Sequence, residues 1–245
     1  MVEMIMRPTR PDLDLRGHRS IPASVWDRDD LLRLVVADME LTGLPPHVGR
    51  LTGLTTLDAA HNRLRSVPDQ LARLGALEML YLGDNELSEM PSGVRSLRHL
   101  RYLGIDGNRL TALPGWIDQL GSLVELRVQG NALTWLPDDI GGVVALRELH
   151  TRGNRLTALP ASIRGLRDLR VLDLRDNALT ELPAELGELQ RLRTLDLRAN
   201  PLRSLPDELA GLEGLEKLDL RWTPFFPDLP APARALEARG CVVLH

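Results

Sequence analysis

The chain has 245 residues, is 43% hydrophobic and 26% charged, and carries a formal net charge of -4 with only 3% aromatic residues. Such a balance is that of an ordinary folded protein, and its mild acidity excludes nucleic acid or an anionic membrane as the expected partner. Arginine outnumbers lysine 29 to 1, Lys217 standing alone, a bias that reads as genome composition rather than anion binding. The single cysteine, Cys241, excludes an internal disulfide framework.

In chain order, residues 1–12 read as a flexible leader. They contain no apolar core followed by a small-residue cleavage site, so a cytoplasmic location is expected. Residues 13–30 read as a degenerate cap, in which Leu13, Leu15, Ile21, Pro22 and Val25 form a shortened first copy of a longer repeat.

From residue 31 to residue 231 that repeat recurs in full. The seven asparagines of the chain, Asn62, Asn85, Asn108, Asn131, Asn154, Asn177 and Asn200, stand 23 residues apart, which is the mark of a solenoid. Around each runs the frame L-x-x-L-x-L-x-x-N-x-L-x-x-L-P-x-x-L, as in Leu77, Leu80, Leu82, Asn85, Leu87, Met90, Pro91 and Val94. Five places before the asparagine, nine successive copies carry leucine, from Leu34 to Leu218. With the apolar residue two further on, this period of two predicts a short strand with one buried face, and hence a parallel sheet.

Each asparagine follows its strand where the chain turns. Its amide can donate to and accept from backbone groups that no ladder satisfies, so the stacked copies are expected to form an asparagine ladder. The Leu-Pro step fixes φ and discourages a helix directly before it. The fold expected is therefore an α/β repeat solenoid with a parallel concave sheet and an extended or 3-10 convex side.

Residues 232–245 read as a second cap. Pro232 to Ala238 should be helical, with Gly240 as the stop and Cys241 to Leu244 as a closing strand. Cys241 falls where nine copies have leucine and is expected to pack as a small hydrophobe. Val242 and Leu244 would face the concave side of an uncovered edge, which invites pairing and leaves monomer or weak homodimer as the expected state.

Strand alternation places the residues six, four and two before each asparagine on the concave surface. In the first half these include Met79, Tyr81 and Tyr102, an apolar patch over Gly83 and Gly104; tyrosine is typical of binding hot spots. In the second half, Asp173, Asp196 and Asp219 form a column beside Arg152, Arg175, Arg198 and Arg221, close enough for a self-neutralising ladder. Arg127 and His150 lie between the zones. Met79, Tyr81, Tyr102, Arg127, His150, Arg152, Asp173, Arg175, Asp196 and Arg198 form the candidate protein-binding face.

No metal, cofactor or catalytic group is expected. Flanking arginines argue against Ca²⁺ on the aspartate column. Acid and base pairs such as Asp58, His61 and Asp84, or His150 with Asp173, come without a nucleophile or cradle. Trp116 and Trp135 are expected to pack against the outer segments, and Thr151, polar in an apolar column, should find a backbone partner.

The frame with its Leu-Pro step resembles the 23-residue leucine-rich repeat proteins of the Ras-group and bacterial cytoplasmic kind, over residues 13–245. The resemblance implies a leucine-rich repeat horseshoe that holds another protein on its concave sheet. It implies a scaffold for a signalling protein such as a small GTPase or a phosphatase, or alternatively an exported bacterial effector that binds a host protein. The sequence carries no G-x-x-x-x-G-K-[ST] loop, so the fused GTPase of some relatives is not expected.

Overall fold

A computed structural model describes residues 11–225 and 227–245. The leader expected at 1–12 lies almost wholly outside the described residues. Eleven strands of three residues each pair in parallel and in chain order: β1 (Asp12–Asp14), β2 (Arg33–Val35), β3 (Thr56–Asp58), β4 (Met79–Tyr81), β5 (Tyr102–Gly104), β6 (Glu125–Arg127), β7 (Glu148–His150), β8 (Val171–Asp173), β9 (Thr194–Asp196), β10 (Lys217–Asp219) and β11 (Val242–Leu244). Leu80 stands opposite Leu57 on one side and Leu103 on the other, so the register equals the repeat period.

The leucine at the centre of each strand, from Leu34 to Leu218, has no exposed surface, because both its own repeat and its neighbours close over it. The outer arm returns through a five-residue 3-10 turn, as in Gly115–Gln119 or Ala161–Gly165. Proline sets the entry: Pro114 holds φ -73 and ψ 150, an extended conformation that cannot continue an α-helix from the residue before it. A buried Ile117 or Ile163 anchors the turn, and the following leucine closes it by donating its amide back three residues.

The asparagines stitch the copies together. Asn108 accepts the Leu87 amide at 2.9 Å and donates to the carbonyls of Leu82, Ile105 and Asp106 at 2.9, 3.2 and 3.0 Å. Asn85, Asn131, Asn177 and Asn200 repeat this geometry. Where the last copy substitutes Thr223, its shorter hydroxyl reaches only its own repeat, donating to the Leu220 carbonyl at 2.6 Å. Thr151, fully buried, donates to the Asp173 carbonyl at 3.0 Å.

At the C-terminal end, helix α1 (Ala231–Ala238) buries Pro232, Ala233 and Leu236 and lies on the turn Asp207–Gly211. Gly240, at φ +95, ends it, and β11 then joins β10 with Cys241 buried behind it. Burial pushes the Cys241 thiol up, away from the thiolate.

Candidate functional site

The concave face is built from the first and third residue of each strand and the residue two places on. In the first full copy Val35 and Ala37 are buried and only Arg33 of the three concave positions is exposed. On β4 and β5, Tyr81 and Tyr102 meet with ring centroids 4.6 Å apart and planes inclined at 35°, the offset arrangement that the ring quadrupole favours. Met79 brings its sulfur to 4.0 Å from the Tyr81 hydroxyl. The Tyr102 ring lies across Gly104, where a Cβ would come within 3.1 Å of it. Burial pushes the Tyr102 phenol up to about 12 and raises Tyr81 as well, the latter with help from the Asp58 charge. Both rings are therefore neutral contact surfaces.

Arg127 continues this platform, its guanidinium 6.0 Å from the centre of the Tyr102 ring and its Nε on Glu125 at 2.5 Å. On β7, His150 Nε2 stands 3.1 Å from Glu148. Each of Glu125, Glu148 and His150 offers a ligand atom within 4.8 Å of the others. Both carboxylates of that group are thus already partnered, by Arg127 and His150. The pairing of His150 with Asp173 weighed from the sequence does not form, since Asp173 turns to the Arg175 amide at 3.1 Å.

The aspartate–arginine ladder is realised only in its last rungs. Arg198 binds Asp196 through both Nε and Nη2, and also reaches Asp219 at 3.3 Å; Arg221 binds Asp219 at 2.7 Å. Arg152 and Arg175 form no ion pair among the described residues. Further along the sheet, Val242 on the edge strand is 56% exposed.

Asp219 is only 1% exposed yet charged. Burial pushes its carboxyl up, but hydrogen bonds from the Arg221 side chain and amide, with the Arg198 charge, outweigh this and hold it below the ordinary value of 3.8. A carboxyl lowered in the folded state stabilises the fold above its unfolded pKa and loses that contribution as pH falls through the folded one. Asp219→Asn should therefore cost about 1–2 kcal/mol at neutral pH and flatten the stability profile below pH ~4, as measured by urea unfolding across that range.

One of the two outer tryptophans departs from expectation. Trp116 packs partly buried against the core, but Trp135 is 54% exposed and does not fold back on the outer arm. Trp116 instead walls a cleft of about 510 Å³ with Val67, Met90 and Leu113, on the outer arm and away from the sheet. His61 and Asp84 pair at 3.1 Å on exposed turns at the rim.

Sequence reading missed the residue directly before each asparagine. It adopts left-handed backbone throughout, at His61, Asp84, Gly107, Gly130, Gly153, Asp176 and Ala199, as does Trp222 before Thr223. The recurrent Gly-Asn and Asp-Asn pairs were the signal, since these residue types tolerate positive φ.

The family model for the leucine rich repeat matches residues 144–202 and 167–225, within the same continuous sheet that carries the asparagine ladder. The chain is a leucine-rich repeat protein. Among solved leucine-rich repeat structures it is similar to the ectodomain of the plant membrane receptor kinase GASSHO1/SCHENGEN3 from Arabidopsis thaliana, in complex with CASPARIAN STRIP INTEGRITY FACTOR 2: TM-score 0.76 and 32% identity over 86% of this chain and 27% of that one. The plant peptide hormone receptor RGFR1, in complex with RGF2, gives 0.65 and 25% over 86% of this chain and 39% of the receptor. The chain therefore spans well under half the length of either receptor. An internalin, inlF of Listeria monocytogenes, shares the fold at TM-score 0.76 with 18% identity, covering 92% of this chain and 70% of that one. No curated protein matches the chain. The leucine-rich repeat is in general a non-enzymatic protein-interaction fold.

Proposed function

We propose that this leucine-rich repeat protein is a non-enzymatic interaction module that grips a protein partner on its concave face, between Met79 and Arg198. The observation that carries the reading is the Tyr81–Tyr102 pair, two rings in contact at 4.6 Å and each partly exposed on the sheet. Aromatic side chains at the centre of a rigid surface supply large contact area at small entropic cost, and they dominate interface energetics elsewhere. Charged neighbours on both sides, Glu125 and Arg127 in one direction and Asp58 in the other, give the surface a polar rim. A cytoplasmic site of action is part of the proposal, supported by a single unpaired cysteine.

Affinity capture from lysate of its own cells, with mass spectrometry, tests this when wild type is run beside Tyr81→Ala/Tyr102→Ala. A partner retained by wild type should bind the variant at least about tenfold more weakly, the range of a lost hot spot. Equal capture by a folded variant overturns the reading.

A further inference from the structure

Two places before each asparagine, the concave column runs through Gln129, Arg152 and Arg175 before reaching Arg198 and Arg221. The last two are held by Asp196 and Asp219. Arg152 is exposed, and neither it nor Arg175 has an ion-pair partner among the described residues. Three side-chain polar atoms among the described residues are buried without a hydrogen-bond partner, and two of them are in this column: Gln129 Oε1 and Arg175 Nε. The third, Ser162 Oγ, is in an outer turn. An unsatisfied acceptor and an unsatisfied donor thus flank an unpaired cation, and native proteins seldom leave such groups without a partner.

The rim beside the column is lined by glycine. Gly107, Gly130 and Gly153 occupy the left-handed position there at φ +59, +64 and +66, where other copies carry His61, Asp84, Asp176 or Trp222. A Cβ on Gly130 would meet only the backbone of Gly107, at 3.5 Å. Asp84 lies over Gly107, where a Cβ would overlap its carboxylate, so the open shelf runs from Gly130 to Gly153, one strand spacing or ~5 Å, which an extended chain covers with about two residues at ~3.3 Å each.

We propose that this shelf seats an extended acidic segment of the protein partner, with a carboxylate between Arg152 and Arg175 and a main-chain N–H on Gln129 Oε1. Neighbouring strands lie ~4.8 Å apart, so two guanidinium groups can close on one carboxylate. Drawn outward by that carboxylate, Arg175 also satisfies its Nε. A peptide fits better than a free phosphate for two reasons. Gln129 Oε1 requires a donor, which a peptide amide supplies and a phosphate dianion does not. Asp84 and Asp176, whose carboxylates lie beside Gly107 and Gly153, repel a doubly charged anion more strongly than a single carboxylate.

The inference rests on the proposed concave-face binding, and the test separates the two. A random dodecapeptide library is selected against the full chain, and the recovered peptides are measured on Arg152→Gln/Arg175→Gln, on Tyr81→Ala/Tyr102→Ala, and on Arg155→Gln/Arg164→Gln as a charge control, each checked for native circular dichroism. Peptides enriched in Asp and Glu, weakened at least tenfold by the first variant and unchanged by the control, are the expected result. Peptides sensitive to the tyrosine pair alone, without acidic enrichment, overturn the inference and leave the concave-face reading standing. Peptides insensitive to both variants overturn both. Binding of inorganic phosphate alone, seen as a shift of the Arg175 Nε resonance when no acidic peptide is recovered, overturns the inference in favour of a free anion.

Discussion

Asn108→Ala should lower stability by about 3–4 kcal/mol, measured by urea unfolding, and should strip the Leu87 amide of its hydrogen-exchange protection. The size follows from which groups lose their only partner. The Leu82 carbonyl keeps a bond from Asn85, the Ile105 carbonyl keeps one from Asn131, and the Asp106 carbonyl still accepts the Asp84 amide. Only the Leu87 amide, buried and bonded to Asn108 Oδ1 at 2.9 Å, is left with nothing. One orphaned buried donor costs ~1–3 kcal/mol, and the lost amide donations add about 1 kcal/mol each, partly offset where a second asparagine remains. Asn108→Asp should be at least as damaging, because the carboxylate keeps the acceptor and removes the donors while placing a charge in a site only 8% exposed. A loss below 1 kcal/mol with the Leu87 amide still protected would mean that strand packing alone joins the repeats. In a linear array such a lesion is felt at one interface between copies, so protection elsewhere should change little.

The fold was legible because one residue type at one period carried it. Leucine at the strand centre and asparagine five places later leave a single register, and a slip of one residue would turn every Leu80 or Leu103 to solvent. The helical cap was legible from Pro232 and Gly240 for the same local reasons. The candidate face was legible only as columns. Alternation says that Asp173, Asp196 and Asp219 point the same way, but it does not choose among arginines that are all one strand spacing distant. Such exposed pairs differ by less than about 1 kcal/mol, so rotamer and burial decide. Asp219, paired with Leu244 of β11 and 1% exposed, closed on two arginines, whereas Asp173 turned to a backbone amide and left Arg175 open. His150 met Glu148, two residues back on its own strand, rather than an arginine or Asp173 across the sheet. Trp135 stayed exposed because nothing in a 23-residue frame says whether an outer-arm side chain folds inward.

Gly165→Ala should cost about 2–3 kcal/mol, while Gly211→Ala, at the equivalent last place of its own 3-10 turn, should be neutral or slightly stabilising. A Cβ built on Gly165 overlaps the Gly141 carbonyl oxygen, and one on Gly141 overlaps the Ser162 carbonyl; at Gly211 nothing lies within 4 Å. Backbone stands in the way at the first two sites, so a rotamer change cannot relieve the clash and the turns Asp138–Gly142 and Ala161–Gly165 must separate. Other turns place Arg73, Gln119 or Glu188 where Gly165 sits, although Gly49 and Gly187, one place earlier in their own turns, approach the Gln70 and Glu208 carbonyls in the same way. Strand spacing on the inner side is held at ~4.8 Å by the ladder, and the bend of a solenoid is set by how much wider the outer side is. The turns that meet at Gly141 and Gly165 come directly before and after β7 in the chain, and Arg152 and Arg175 follow β7 and β8. Wedging the turns apart tightens the curve and brings those two arginines closer together. Gly165→Ala should accordingly weaken acidic-peptide binding as well as stability, whereas Gly211→Ala should alter neither; loss of stability with unchanged peptide affinity would show that the convex turns do not set the geometry of the concave face.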